Sequence, residues 1–376
     1  MKQAIAAALT LAIGGMAAPT VASEPLPAEA LAPYTARQLA SGVHLLATPP
    51  DYLGAVTGNI TIIEQSDGVV VIDSGLTAAD GRRAAAYVRS LTPNPVKALV
   101  YTHWHNDHPQ GGSEIRKAWP DVRIISTAAT AQSLRAATAR YVGYEPSIWF
   151  DAIFRQQGEA LARQIDEALK DPSHDAATRA RYERMKRESA ERAADFTGTH
   201  LALPTETFTD RLLLDDSERP VELKFLGRAN TDGDAVAWLP NERIVITGDI
   251  VVSPIPFGFF SYPADWLRVL KRFKGMNYAM LVPGHGEPQT DTAYLDRLTA
   301  TISDIRGQVE PLAKQGLSAA EVRKRADYSA QMKAFGDTPR HQRLFEAYWL
   351  NPMTINAWVE ANGLPMKQGD ESLYPQ

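Results

Sequence analysis

The chain has 376 residues, 44% of them hydrophobic, which is enough for one large core or two domains. Its formal net charge of −5 argues against a phosphate-backbone partner. The absence of cysteine excludes disulfides, thiolate metal ligands and an N-terminal lipidated Cys; a chain this long buries an adequate core without staples.

Met1 and Lys2 precede an apolar stretch, Ala4 to Ala18, then Val21-Ala22-Ser23 with small residues at the cleavage positions. This predicts a secretory signal peptide over residues 1–23 and a periplasmic or secreted protein. The apolar run is shorter than the roughly 20 residues that span a bilayer, so no membrane span is expected. Residues 24–40, rich in Pro and Ala, read as a linker. Strands follow at Gly42 to Leu46, Asn59 to Glu64 and Gly68 to Asp73, where β-branched runs are bounded by Gly, Asp and Pro. Asp80 to Leu91 reads as a helix ended by Pro93 and Pro95.

The apolar run Val96 to Val100 then delivers His103-Trp104-His105-Asn106-Asp107-His108. Three imidazoles and a carboxylate at the exit of a buried strand are seldom left without partners, and together they point to a metal. In extended backbone, residues two apart face the same side, so His103 and His105 can grip one ion while Asp107 and His108 turn toward a second position. Imidazole and carboxylate without thiolate suit zinc, with iron and manganese also compatible. Gly111-Gly112 turns the chain into a helix from Ser113 to Trp119, with Ser113 as its expected cap.

Between about 130 and 200 the pattern changes to a helical insertion. Leu161, Ile165 and Leu169 share a helix face, Asp171-Pro172-Ser173 breaks it, and a second helix follows with Glu183/Arg187 and Glu188/Arg192 spaced for pairing. The aromatics between Tyr141 and Phe154 are expected to approach the site. Strands return over 201–290, and the loop Ser253 to Pro263 offers Phe257, Phe259 and Tyr262 as a substrate wall or as a seal against the core. Leu295, Leu298, Ile302, Ile305, Val309 and Leu312 then mark an amphipathic helix, Ser318 and Glu321 a capping box, and the segment with Phe345, Tyr348 and Trp349 more helix. His44, His174, His200 and His341 fall outside any ligand spacing and read as satisfied surface histidines.

The H-x-H-x-D-H hexad is followed in order by Gly227-Arg228-Ala229-Asn230-Thr231-Asp232-Gly233-Asp234, by Arg243 to Asp249, and by Leu281-Val282-Pro283-Gly284-His285-Gly286. With these four motifs, residues 40 to 290 resemble the metallo-β-lactamase superfamily. The resemblance implies an α/β fold: a four-layer αββα sandwich over 41–290, with the helical insertion and a helical C-terminal extension over 291–376. It implies one metal position at His103, His105 and Asn230, which stands where the family carries histidine. A second position falls at Asp107, His108 and His285, with Asp249 between the two. One or two zinc ions would then activate hydroxide for attack on a carbonyl, with Asp107 as the catalytic residue that orients the water. Tyr52 would lie in a hairpin loop over the metal site, and Asp73 would hold the metal-binding loop through hydrogen bonds. A β-lactam, lactone, ester or thioester is the implied small-molecule substrate; oligomeric state stays open. The contrasting expectation is a non-catalytic or degenerate metal-binding envelope protein, which would have no need of Asp107.

Overall fold

In a computed structural model, residues 26–54, 57–140 and 159–368 are described. The expected signal peptide and the Tyr141 to Phe154 aromatics lie outside them. Two sheets lie face to face. The first runs β1 (Thr35–Ala40), β2 (Val43–Ala47), β3 (Ile60–Gln65), β4 (Gly68–Ile72), β5 (Val96–Val100), β6 (Arg123–Thr127) and β7 (Glu206–Phe208), in that order. Its first four strands are antiparallel and the rest parallel. The second sheet runs β12 (Met280–Val282), β11 (Ile244–Ile246), β10 (Ala235–Leu239), β9 (Val221–Phe225) and β8 (Arg211–Leu214).

Three apolar clusters separate four layers. Val43, Ile63, Val70, Val100 and Ile125 of the first sheet meet Leu223, Ala237, Leu239 and Ile246 of the second. On the outer face of the first sheet, Leu46, Ile62, Val71 and Leu99 pack under α1 (Ala78–Leu91), α2 (Gly112–Ala118) and α3 (Ala128–Arg140). On the outer face of the second, Val236, Val245 and Leu281 pack under α6 (Pro263–Lys274), α7 (Ala293–Lys314) and C-terminal helix. Adjacent residues such as Ile62 and Ile63 serve opposite cores, as the two-residue period of a strand requires. The architecture is the expected αββα sandwich with a helical C-terminal extension.

Several local expectations need correction. The segment expected as a linker contains β1, paired antiparallel to β2 with Thr35 opposite Ala47. Its residues are mostly exposed, so it carries no apolar alternation, and backbone hydrogen bonds hold it. Helix α1 starts two residues early, because Thr77 is the cap and Asp80 completes a capping box. Ser113 is not a cap: α2 starts at Gly112, and Ser113 is buried within it. His44 is buried rather than on the surface, with Nε2 3.0 Å from Glu64.

The insertion is helical over residues 159–169 (α4) and in α5 (Ala176–Ala194), with the predicted break between them. Its expected Glu188/Arg192 pair does not form. Arg192 is buried and donates to Asp80 of α1 at 2.6 and 2.7 Å, while Glu188 accepts from Arg184 and from the backbone N–H of Leu53. A guanidinium out of water needs a carboxylate equally out of water, and Asp80 supplies it. In the extension, α7 buries the predicted face and Ser318 forms its capping box with Glu321 on α8 (Ala319–Arg325); α9 (Ser329–Phe335), α10 (Pro339–Phe345) and α11 (Asn351–Ala361) follow. No described helix is long and apolar enough to cross a membrane.

Candidate metal centre

The loops after β4, β5, β9, β11 and β12 converge at one end of the sandwich. They bring together His103, His105, Asp107, His108, Asn230, Asp249 and His285. Two groups result, His103/His105/Asp249 and Asp107/His108/His285, each with its potential ligand atoms within 4.8 Å of one another. Asp249 faces both. Its Oδ2 lies 3.5 Å from His103 Nε2 and 3.9 Å from His105 Nδ1, while its Oδ1 lies 3.2 Å from His108 Nε2 and 3.4 Å from His285 Nε2. Asp107 Oδ2 is 3.0 Å from His285 Nε2. Asn230 is buried, its Nδ2 3.5 Å from His105 Nδ1.

The donor set fits a metal. His103 Nε2, His105 Nε2, His108 Nε2, Asn230 Oδ1 and Asp249 Oδ1 are all buried without a hydrogen-bond partner. Each such atom costs about 1–3 kcal/mol; His105 meets the group through Nδ1, and His103 Nε2, His108 Nε2 and Asp249 Oδ1 converge at one point and need a common electrophile. A cation among nitrogen and oxygen donors supplies it.

Asp73 sets the tautomers. It accepts from Thr102 N, Thr102 Oγ1 and His108 Nδ1, each at 2.8 Å. With its own proton committed to Asp73, Thr102 Oγ1 accepts from His103 Nδ1 at 3.0 Å. Both imidazoles therefore carry hydrogen on Nδ1, and each neutral ring turns a bare Nε2 toward Asp249. The role expected for Asp73 is thus explicit in its bonds, and it holds the uncommon φ of +61°.

A second support comes from residues 57–59, which the sequence reading missed. Gly58 N donates to Asp107 O at 3.0 Å, and Asn59 donates from N to Gly284 O and from Nδ2 to the carbonyls of Pro283 and Gly286. One short segment thus ties the hexad to the His285 loop. An Asn at the start of an apolar strand was the available signal, since it must find partners when buried. Gly284 is required by space: a Cβ there would fall 2.1 Å from Asp249 Oδ1. Asp234 braces the Asn230 loop by accepting from Ala229 N, Thr231 N and Thr231 Oγ1.

Burial and charge work against each other here. Burial, reinforced by the neighbouring His108, lowers His103 to about 4 and keeps it neutral. Burial also opposes charge on His108, yet the Asp249, Asp73 and Asp107 carboxylates outweigh it and raise its pKa. His285 is raised in the same way, chiefly by Asp249 against the effect of burial. Burial disfavours ionised Asp107, but His108 and His285 hold it well below the usual carboxylate range. Asp234 has no such cations, and burial pushes it up to about 7.

The expected substrate residues part ways. The Phe257 ring is 5.3 Å from that of His105, and Phe259 is 5.2 Å from Phe257. Tyr262 is buried, with Arg228 stacked on its ring at 4.2 Å and Gln368 donating to its hydroxyl at 3.2 Å. These contacts tie it into the loop rather than to the metal ligands. Tyr52 lies toward the insertion: burial raises its phenol to about 12, with Arg192 opposing and Glu188 adding to the effect.

An αββα sandwich with paired His/Asp clusters sharing one aspartate at its loop end is a frame for metal-dependent chemistry. The sequence profile described as "Metallo-beta-lactamase superfamily" matches residues 53–285, and the chain belongs to that superfamily of metallo-hydrolases. It is 22% identical over 316 residues to a linear primary-alkylsulfatase of Pseudomonas sp. (strain ATCC 19151), an alignment covering 76% of this chain. The chain spans 55% of the length of that relative. Among solved structures, it is similar to a metallo-beta-lactamase from Pontibacter korlensis, at 18% identity and TM-score 0.48 over 72% of this chain and 99% of that one. It is also similar to DIM-1 metallo-beta-lactamase, at 14% identity and TM-score 0.49 over 72% and 97% of the two chains.

Proposed function

We propose that the protein is an exported, zinc-dependent hydrolase of small ester-like molecules, acting in the periplasm or outside the cell. The observation that carries this reading is the exposure of Asp107. Its side chain is 24% exposed, whereas those of His103, His108 and Asp249 are at most 4% exposed. One ligand carboxylate therefore faces solvent, where water and substrate arrive, and a purely metal-storing protein has no use for that opening. A donor set of imidazole and carboxylate suits zinc. His103, His105, Asn230 and Asp249 would hold one ion, and Asp107, His108, His285 and Asp249 another. The chemistry a bound metal supplies is activation of water near neutral pH and polarisation of the scissile group.

The chain's own residues do the rest. Asp107, the ligand carboxylate that faces solvent, accepts a hydrogen bond from the attacking water and takes its proton. Asp73 holds the His108 and His103 tautomers through the reaction. The Asn230 amide, a weaker donor than imidazole, leaves the first group the looser of the two.

Two substrate classes follow from different observations. The superfamily match supports attack on a carbonyl of a β-lactam, lactone, ester or thioester. The alkylsulfatase relative supports a sulfate ester. The test is metal content by plasma mass spectrometry, followed by hydrolysis of a chromogenic cephalosporin, p-nitrophenyl acetate and p-nitrophenyl sulfate. Turnover that disappears with chelator, returns with zinc and is lost in Asp107→Ala supports the hydrolase. A protein that takes up zinc but turns over none of the three belongs to the metal-binding alternative.

A further inference from the structure

Phe257 and Phe259 are only partly buried and belong to none of the three apolar cores. A third ring joins them from the C-terminal extension. Tyr348 lies 6.0 Å from Phe257 and 6.4 Å from Phe259, and it is 45% exposed. Its placement follows from the local backbone.

From α10 to α11 the chain is one helix, 339–361, interrupted by a π turn at Glu346–Leu350 in which Asn351 N donates to Glu346 O. Pro352 has no N–H, so the Tyr348 carbonyl one turn earlier loses its helical donor. Gly258 N takes that place at 2.9 Å. The carbonyl of Gly258 accepts in turn from Asn356 Nδ2 at 2.6 Å, and the same amide donates to Ser261 Oγ at 2.8 Å. The extension thus grips both sides of Gly258, between the two phenylalanines. The widened turn sends Trp349 and Leu350 into the core and leaves Tyr348 facing outward with Phe257 and Phe259. π turns are sparsely used and concentrate at functional sites.

We infer that Phe257, Phe259 and Tyr348 form an apolar wall beside His105 that binds an alkyl or aryl group of the substrate, and that the C-terminal extension completes the active site by supplying Tyr348. Three ring faces offer contact area with one hydroxyl among them, the chemistry of an apolar subsite. This inference rests on the hydrolase reading for the word substrate; the binding it asserts is measurable without turnover.

The experiment uses the zinc-loaded full chain and calorimetric titration with octanesulfonate, below its micelle concentration, and with ethanesulfonate. Octanesulfonate is expected to bind at least about tenfold tighter, from burial of its additional methylenes. Tyr348→Ala should shrink that ratio about three- to tenfold, and Tyr348→Phe should keep it. Zinc content and near-ultraviolet circular dichroism of each variant show whether the fold is intact. Equal affinities in the wild type, or an unchanged ratio in a folded Tyr348→Ala, overturn the wall. Parallel turnover of p-nitrophenyl acetate and octanoate separates the two claims. Chain-length-dependent binding without turnover sinks the hydrolase and leaves the wall standing; turnover without chain-length dependence in binding or rate does the reverse.

Discussion

Replacing Asp73 by Asn changes one atom type at the position that sets both histidine tautomers. The remaining oxygen still accepts from Thr102 N. The new amide NH2 faces Thr102 Oγ1, which can reverse its role, and His108 Nδ1, which already donates at 2.8 Å. Two donors now oppose each other. His108 relieves the conflict by moving its proton to Nε2, the atom 3.2 Å from Asp249 Oδ1, and that nitrogen then has no lone pair for a metal. Partners of this kind are worth about 10–100-fold in metal affinity, or about 1.4–2.7 kcal/mol. Loss of a charge-assisted hydrogen bond independently costs the metal-free fold about 1.5–3 kcal/mol. Competition titration against a fluorescent zinc chelator measures the first quantity and urea unfolding of the metal-free protein the second. A folded Asp73→Asn protein with zinc affinity within about twofold of wild type would refute the reasoning, since His108 would then need no partner to present Nε2.

Three further outcomes are expected. Arg192→Met removes the buried guanidinium from Asp80 and leaves it only the longer contact to Arg83, 3.4 Å away, so unfolding free energy should fall by about 1.5–3 kcal/mol, and adding Asp80→Asn should recover part of it; an unchanged urea midpoint in the single variant would mean the pair contributes nothing. Zinc affinity should rise with pH across neutrality, because the raised His108 and His285 must lose protons before ligating and binding therefore releases protons; competition titrations at about pH 6 and about pH 8 that agree would count against those imidazoles as ligands. Asn230→His should increase the zinc retained after dialysis, the imidazole being the stronger donor, whereas equal retention would remove Asn230 from the ligand set.

Much of the site is legible in the chain because its chemistry is local. His103 and His105 face one side by strand geometry, Asp107 and His108 follow within one turn, and no packing is needed to see that they can share ions. The remaining motifs are readable because each ends an apolar strand with a polar residue that a core would reject. The layers are legible for a related reason, since strands such as Gly68–Ile72 are apolar on both faces and must lie between two cores.

What only the tertiary structure decided is which partners meet when several are available. Arg192 has Glu188 one helical turn before it, yet it pairs with Asp195 and with the fully buried Asp80, 112 residues distant, because a charge that leaves water needs a partner that also leaves it. Tyr262 and Phe257 stand five residues apart in one loop, and the first is sealed under Arg228 while the second faces His105; spacing alone cannot tell a lid from a wall. β1 shows no periodicity, because an edge strand is held by backbone groups that every residue carries. By itself the sequence determined the ligand types and the order in which the strands deliver them. Folding determined that Asp249 lies between the two groups and that Tyr348 meets Phe257, since both depend on contacts between segments far apart in the chain, which close only when the layers pack.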